Sequence, residues 1–283
     1  MFHSDHKIRG ATYIVLSCVA FSAMAAFVKL IAYVNTFKTS FARFAIGIAI
    51  LGTAALIGKI RLDFNDIRLL LLRGIIGGAG IVLQFLIIVK IGIGKGTMLT
   101  STYPIFACIF AALLLKEKLG KLTIPAILLA TGGIYLLTSA SGTGLLGSFG
   151  FYEILAVFNG VMAGLAITII RKLHGTDSSY SIFFSQCIIG FWLVLIPANA
   201  APRPLTWSWY EAVILLFIGV TATVGQLFMT AGYKYLPVRT GSILGMLEPT
   251  FNFFVGAILF GELFTGRSFL GAALIILSGI LAL

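Results

Sequence analysis

Glu248 is the deepest charged side chain in an overwhelmingly apolar chain, and a carboxylate in that setting can hold a substrate ammonium, carry a proton or bond a neighbouring helix. Leaving it ionised against lipid costs at least ~2.5 kcal/mol, so it must face an interior. Gly245 before it and Asn252 and Gly256 after it stand at helical spacing and share its face, which marks that face as the lining of such an interior. Lys29 and Arg43 are the other charges inside apolar runs. They either snorkel to the outer headgroups or turn inward as a cationic rim for a carboxylate or phosphate. Two cations with one deep acid would suit a zwitterion such as an amino acid. Four amides, Gln84, Asn159, Gln186 and Gln226, complete the set, the last with Thr223 and Thr230 on its face. A lone amide in a membrane helix either contacts a ligand or joins helices, the latter worth about 0.6 kcal/mol.

What must position these groups follows from composition. Over 283 residues, 59% are hydrophobic and 10% charged, and mean hydropathy is +1.08. That is too little polar surface to cover a soluble globule. Nine polar breaks, near residues 35–38, 59–68, 90–95, 116–121, 139–148, 171–177, 198–207, 233–238 and 262–266, separate ten apolar runs long enough for membrane helices. Barrel strands would be shorter and would alternate in polarity. The expected fold is all-α, a ten-helix integral membrane protein.

The runs repeat. Residues 96–119, GTMLTSTYPIFACIFAALLLKEKL, recur as residues 241–264, GSILGMLEPTFNFFVGAILFGELF, and both 249 − 104 and 262 − 117 equal 145, so Pro104 falls on Pro249 and Glu117 on Glu262. Five helices per repeat is odd, so the second must cross in the opposite sense to the first. We therefore expect two inverted-topology repeats, residues 1–140 and 141–283. Tyr103 occupies the position equivalent to Glu248, so the two halves differ where chemistry is expected. Pro104 and Pro249 each remove a backbone donor and can kink their helices near mid-membrane. Gly74, Gly77, Gly78 and Gly80 allow close helix approach in the third run.

Thirteen lysines and arginines, Arg73 among them, fall on the side of the N-terminus, against Lys38, Lys90, Lys95, Arg203 and Arg267 opposite. This predicts cytoplasmic termini in an inner membrane, and it accounts for the +11 charge without any nucleic-acid partner. The first apolar run is too long for a signal-peptide core and reads as a true span. The last is about 18 residues, short for a crossing, and we expect a native tail beyond it. Cys18, Cys108 and Cys187 stand singly within runs, without pairing or metal-ligand spacing.

The segment Leu247–Leu283, LEPTFNFFVGAILFGELFTGRSFLGAALIILSGILAL, resembles the end of the second repeat of the EamA-type drug/metabolite transporter superfamily, with Glu-Pro in the ninth span, Gly-Glu at its far end and a Gly-rich tenth span. Tyr103-Pro104, Lys116-Glu117 and Gly132-Gly133-Ile134 match the first repeat more loosely, and Gln226 to Tyr235, QLFMTAGYKY, falls in another recurrent segment. The resemblance extends from about Gly10 to Leu283. It implies a transporter and is nearly silent on substrate, because similar members export amino acids, move sugar nucleotides or carry triose phosphates.

An intramembrane enzyme would need a nucleophile with a base, paired aspartates or a metal, yet His3, His6, His174, Asp63, Asp66 and Asp177 all lie outside the runs. No catalytic set, metal site or cofactor is expected. A channel would need a ring of like charges or a carbonyl filter, and neither is present. The expected function is a secondary transporter exporting an amino acid or similar zwitterion or carboxylate by alternating access. The alternative is a carrier of phosphorylated or nucleotide-like anions. Expected partners are the small-molecule substrate, the bilayer and a coupling proton on Glu248. Expected substrate-binding residues are Lys29, Arg43, Gln84, Tyr103, Asn159, Gln186, Gln226, Glu248 and Asn252.

Overall fold

Apolar runs of about 20 residues, each bounded by polar turns, leave the backbone no way to satisfy its amides within a bilayer except as helices. A computed structural model describes residues 2–91, 96, 99–118, 120–139, 150–200, 208–261 and 265–283. Every regular element among them is helical: α1 (Phe2–Leu30), α2 (Thr36–Leu56), α3 (Ile67–Ile91), α4 (Tyr103–Leu115), α5 (Thr123–Ser139), α6 (Phe151–Leu173), α7 (Ser179–Asn199), α8 (Trp209–Tyr235), α9 (Val238–Gly245), α10 (Leu247–Phe260) and α11 (Gly266–Ala282). Seven stretches are long and apolar enough to cross a membrane, one of them α9 and α10 together, and shorter apolar helices lie in α4, α5 and α11. The junction between the two expected repeats, and Glu262, lie outside the described residues.

Polar turns set the helix starts. The Asn35 side chain accepts from the Phe37 amide at the head of α2, and Ser178 caps α7. Ser208 and Glu211 form a reciprocal capping box on α8.

The packing maps onto itself when the halves are exchanged. α1 lies on α8 as α3 lies on α6, α2 on α8 as α3 on α7, and α4 on α6 as α10 on α1; α2 with α7 and α5 with α11 are their own counterparts. Directions follow from named contacts. Gly232 lies against Ile14, Gly225 against Phe21 and Phe217 against Phe27, so α1 and α8 run antiparallel. Gly160 lies against Thr102 and Gly164 against Ala107, so α4 and α6 run parallel. Glycines make the closest approaches possible: Gly78 faces Gly190, where an added Cβ would stand 2.9 Å from the opposing Cα.

The ninth span is broken. Met246 separates α9 from α10, its N–H bonding back to Ile243 rather than Ser242. Pro249 supplies the cause, because it cannot donate to the Gly245 carbonyl. Ser101 and Thr102 form the corresponding turn just before α4, with Thr102 N–H bonded back to Leu99. Pro104 and Pro249 therefore sit in the first turn of a new helix, where a missing N–H costs nothing, rather than inside a bent continuous one. Both second halves also end alike, with a left-handed cap at Lys116 (φ 55°) and Gly261 (φ 66°).

Arg73, counted above among the basic residues on the side of the N-terminus, belongs inside α3 and is only 2% exposed. Its removal from the loop count leaves twelve basic residues against five.

Candidate substrate cavity between the halves

The broken spans place Glu248 and Tyr103 at the heads of α10 and α4. A helix N-terminus favours negative charge, so the break stabilises the Glu248 carboxylate as well as exposing it. α1 packs beside the ninth-span break: the Cys18 thiol lies 3.7 Å from the Gly245 carbonyl, and Ser22 Oγ donates to the Glu248 carbonyl at 3.4 Å. Tyr103 reaches across from the first half and donates to the Ser242 carbonyl at 2.9 Å.

Around these heads lies a cavity of about 360 Å³. Lys29, Arg43, Gln84, Tyr103, Gln226, Glu248 and Asn252 all line it, with Pro249, Thr100 and Gly245. Its floor is Ile14 and Tyr233, and its other end reaches Ile31, Val34 and Thr36 at the α1–α2 turn. Pro104 is buried outside this lining.

Lys29 crosses to the far end of the ninth span, its Nζ 4.1 Å from the centre of the Phe260 ring. Arg43 is 5% exposed and makes one weak contact, 3.4 Å to Met24 Sδ. Its charge acts on that of Glu248, yet no ion pair within 4.0 Å joins these two described residues. Arg43 Nε, Thr100 Oγ1, Gln226 Nε2 and Asn252 Oδ1 have no hydrogen-bond partner. Four unmet polar groups on one cavity wall are a standing demand for a polar occupant, because each costs free energy when buried and unpaired.

Asn159 and Gln186 stand outside the lining. Asn159 donates to Gln84 Oε1 at 2.8 Å and so orients a residue that does face the cavity. Gln186 accepts from Arg73 Nη2 at 2.8 Å. Thr100 and Arg73 are polar groups of this region that sequence reasoning missed. Thr100 precedes an unforeseen turn, and Arg73 lies too near the end of its run to look buried.

The floor is closed toward the termini. Ile14, Leu173, Ile182, Tyr233, Leu236 and Val238 belong to one buried cluster beneath the cavity. Below it Glu117 accepts from the Val238 amide at 3.0 Å, capping α9, and lies 3.9 Å from Arg171 Nε. Burial pushes the Glu117 carboxyl above its usual range, against the opposing pull of the Val238 amide, Arg171 and Arg239. Arg171 also donates to the Tyr233 and Lys234 carbonyls at 2.9 and 2.6 Å. His174 Nε2 donates to the Thr230 carbonyl at 2.7 Å, and burial lowers its pKa to about 4. Side chains from the ends of α4 and α6 thus hold the ends of α8 and α9 together.

Among the described residues no cluster of His, Cys, Asp or Glu could hold a metal. A polar cavity at broken helices within an apolar bundle defines a membrane transporter. The chain belongs to the EamA-like transporter family, which it matches over residues 8–139 and again over residues 150–283. It is similar to the pseudopaline exporter CntI of Pseudomonas aeruginosa (strain UCBPP-PA14), at 25% identity over 95% of this chain and 94% of that one. It is 27% identical to an uncharacterized transporter of Helicobacter pylori (strain ATCC 700392 / 26695), over 96% and 93% of the two chains. A solved crystal structure superposes with a TM-score of 0.76 at 18% identity, covering 99% of this chain and 96% of the other, and shares the fold.

Proposed function

We propose that this protein is an inner-membrane secondary carrier that exports a small zwitterionic or carboxylate metabolite, such as an amino acid, by alternating access of two inverted five-helix halves. The observation that carries the reading is the pairing of Arg43 and Glu248 on one cavity, charges that act on each other without forming an ion pair, among neighbours whose own polar atoms are unmet. A substrate carboxylate fits Arg43, with Lys29 beside the entrance, because a guanidinium offers two parallel donors. A substrate ammonium fits Glu248, with Asn252 Oδ1 as a further acceptor.

The self-mapping packing supports inverted halves, and the wall of buried contacts toward the termini supports a carrier over an open pore. Export is favoured by the similarity to the pseudopaline exporter of Pseudomonas aeruginosa.

The test is thermal stabilisation of the purified protein by the standard L-amino acids, with phosphate esters and nucleotides in parallel. At a concentration one hundred times Kd, a ligand adds about 2.7 kcal/mol to folded stability. We expect at least one amino acid to raise the melting temperature of the parent and to have lost that effect in both Arg43→Gln and Glu248→Gln. Stabilisation by phosphate esters alone would replace the zwitterion with the anion reading. Preserved amino-acid stabilisation in Glu248→Gln would leave that residue the role of proton carrier or helix contact.

A further inference from the structure

Arg73 is more deeply buried than Arg43, and two of its three guanidinium nitrogens are unmet. It lies two turns into α3, and its one hydrogen bond goes from Nη2 to Gln186. Nε and Nη1 have no partner. Its guanidinium is folded onto Gly77, where an added Cβ would overlap Nη1. Arg43 is near enough for its like charge to act on it, and the neutral Cys187 thiol is a neighbour of both. Glu248 acts on Arg43, and no ion pair within 4.0 Å joins it to Arg73 among the described residues. Among the described residues no carboxylate pairs with this guanidinium, which sits inside the bilayer with unmet donors and a second arginine nearby.

Position suggests what supplies it. α2 enters from the cavity's open end and α3 from the opposite face, so Arg43 and Arg73 each stand about 10 Å inside opposite faces of the bundle. Cys187 lies between them, its thiol feeling both charges. Arg43 lines the present cavity, whereas Arg73 is outside its lining, three residues beyond Leu70 of the buried cluster that closes the floor.

We infer that Arg73 is a second anchor for the substrate's acid group, holding it when the termini face is open, and that Arg43 takes over the same group when the opposite face is open. Gln186 is the positioning residue that keeps the guanidinium turned toward the exchange path. This rests on the carrier reading above and extends it to a specificity rule: the substrate must present a carboxylate or other oxyanion, from either face.

Cys187 serves as the reporter in a protein whose other two cysteines are replaced by alanine. Vesicles of known orientation are treated from each face with a sulfonate-bearing methanethiosulfonate and with its trimethylammonium analogue. From the termini face the anionic reagent should label Cys187 about tenfold faster than the cationic one, the size of effect expected of charge focusing in a cleft. Arg73→Gln should abolish that preference while the preference from the other face persists. Gly77→Ala, which keeps the charge and displaces the guanidinium, should do the same. Arg73→Gln should also melt no lower than the parent, because it removes an uncompensated charge; a purely structural arginine would lower the melting temperature.

Absence of labelling from the termini face, or a charge preference there that survives both substitutions, overturns the inference and leaves the carrier reading standing. Loss of preference only in Arg73→Gln, with Arg43→Gln normal from its own face, upholds Arg73 and sinks the role given to Arg43. Equal protection of Cys187 by chloride and by glutamate would assign Arg73 a resident inorganic counter-ion instead.

Discussion

Tyr103 Oη donates to the carbonyl of Ser242 at 2.9 Å, so a phenol from the first half satisfies a backbone acceptor that the broken ninth span has released in the second. The bond joins the halves at the depth of the cavity. Tyr103→Phe removes the donor and keeps the ring, leaving a buried carbonyl unmet. We expect a loss of about 1 to 3 kcal/mol, read as a lower melting temperature of the purified protein. An unchanged melting temperature would show that water or another donor satisfies Ser242.

Lys116 holds the left-handed cap at the end of α4, where the equivalent position 145 residues later is Gly261. An L-residue pays about 1 to 2 kcal/mol for that conformation. Lys116→Gly should therefore stabilise the protein by up to about 1 kcal/mol after the entropic cost of glycine. Lys116→Ala, which loses the charge and keeps the strain, should not, and thermal melts of the two variants separate the causes.

His174 gives a pH dependence. Its pKa falls from the ordinary 6.5 to about 4 on folding, so the unfolded chain binds the extra proton between those values. Stability from this group is complete above pH 6.5 and is lost as pH falls toward 4. The amount at stake is up to about 3 kcal/mol. His174→Gln can still donate to Thr230 and has no proton to gain, so its melting temperature should fall less than the parent's over that window. Parallel profiles would remove His174 from the acid response.

The positive bias of the loops on the N-terminal side predicts opposite locations for the two ends of α2. Tyr33 and Ile57, both exposed at those ends, are suitable sites for single cysteines in a cysteine-free background. An impermeant thiol reagent outside intact cells should label Tyr33→Cys and spare Ile57→Cys. The reverse pattern would invert the assigned orientation, and labelling of both would contradict a spanning α2.

The number and extent of the helices were legible because each span is long, apolar and bounded by charge or by Gly, Pro and Asn. The repeat reading came from scarce residues, Pro104 with Pro249 and Glu117 with Glu262, which recur at one offset. Seven of the nine polar residues singled out in the spans line one cavity, since a polar group in a lipid-solvated helix has few other places to point. Asn159 and Gln186 could not be told apart from them, because bonding Gln84 or Arg73 and facing a cavity demand the same amide. The breaks at Ser101–Thr102 and Met246 were half visible: proline marks a lost hydrogen bond, but whether the helix bends or restarts depends on what takes the freed carbonyl. That acceptor's partner, Tyr103, is distant in sequence from Ser242. Arg73 was missed because a cation six residues inside a run resembles a snorkelling one; the room made for it by Gly77 was the available signal.

The antiparallel embrace of α1 and α8 also dictates an order of assembly. Phe21 meets Gly225 only after some 200 further residues have been made, an interval of about 10 to 40 s at ordinary rates of synthesis. Throughout that time α1, with Ser17, Cys18, Ser22 and Lys29 along its length, resides in the membrane without the helix it is built to meet. Its polar face must be sheltered by the insertion machinery, by lipid headgroups or by provisional neighbours. Any substitution that makes that face more polar is then exposed to quality control during biogenesis, even where the finished bundle would accommodate it.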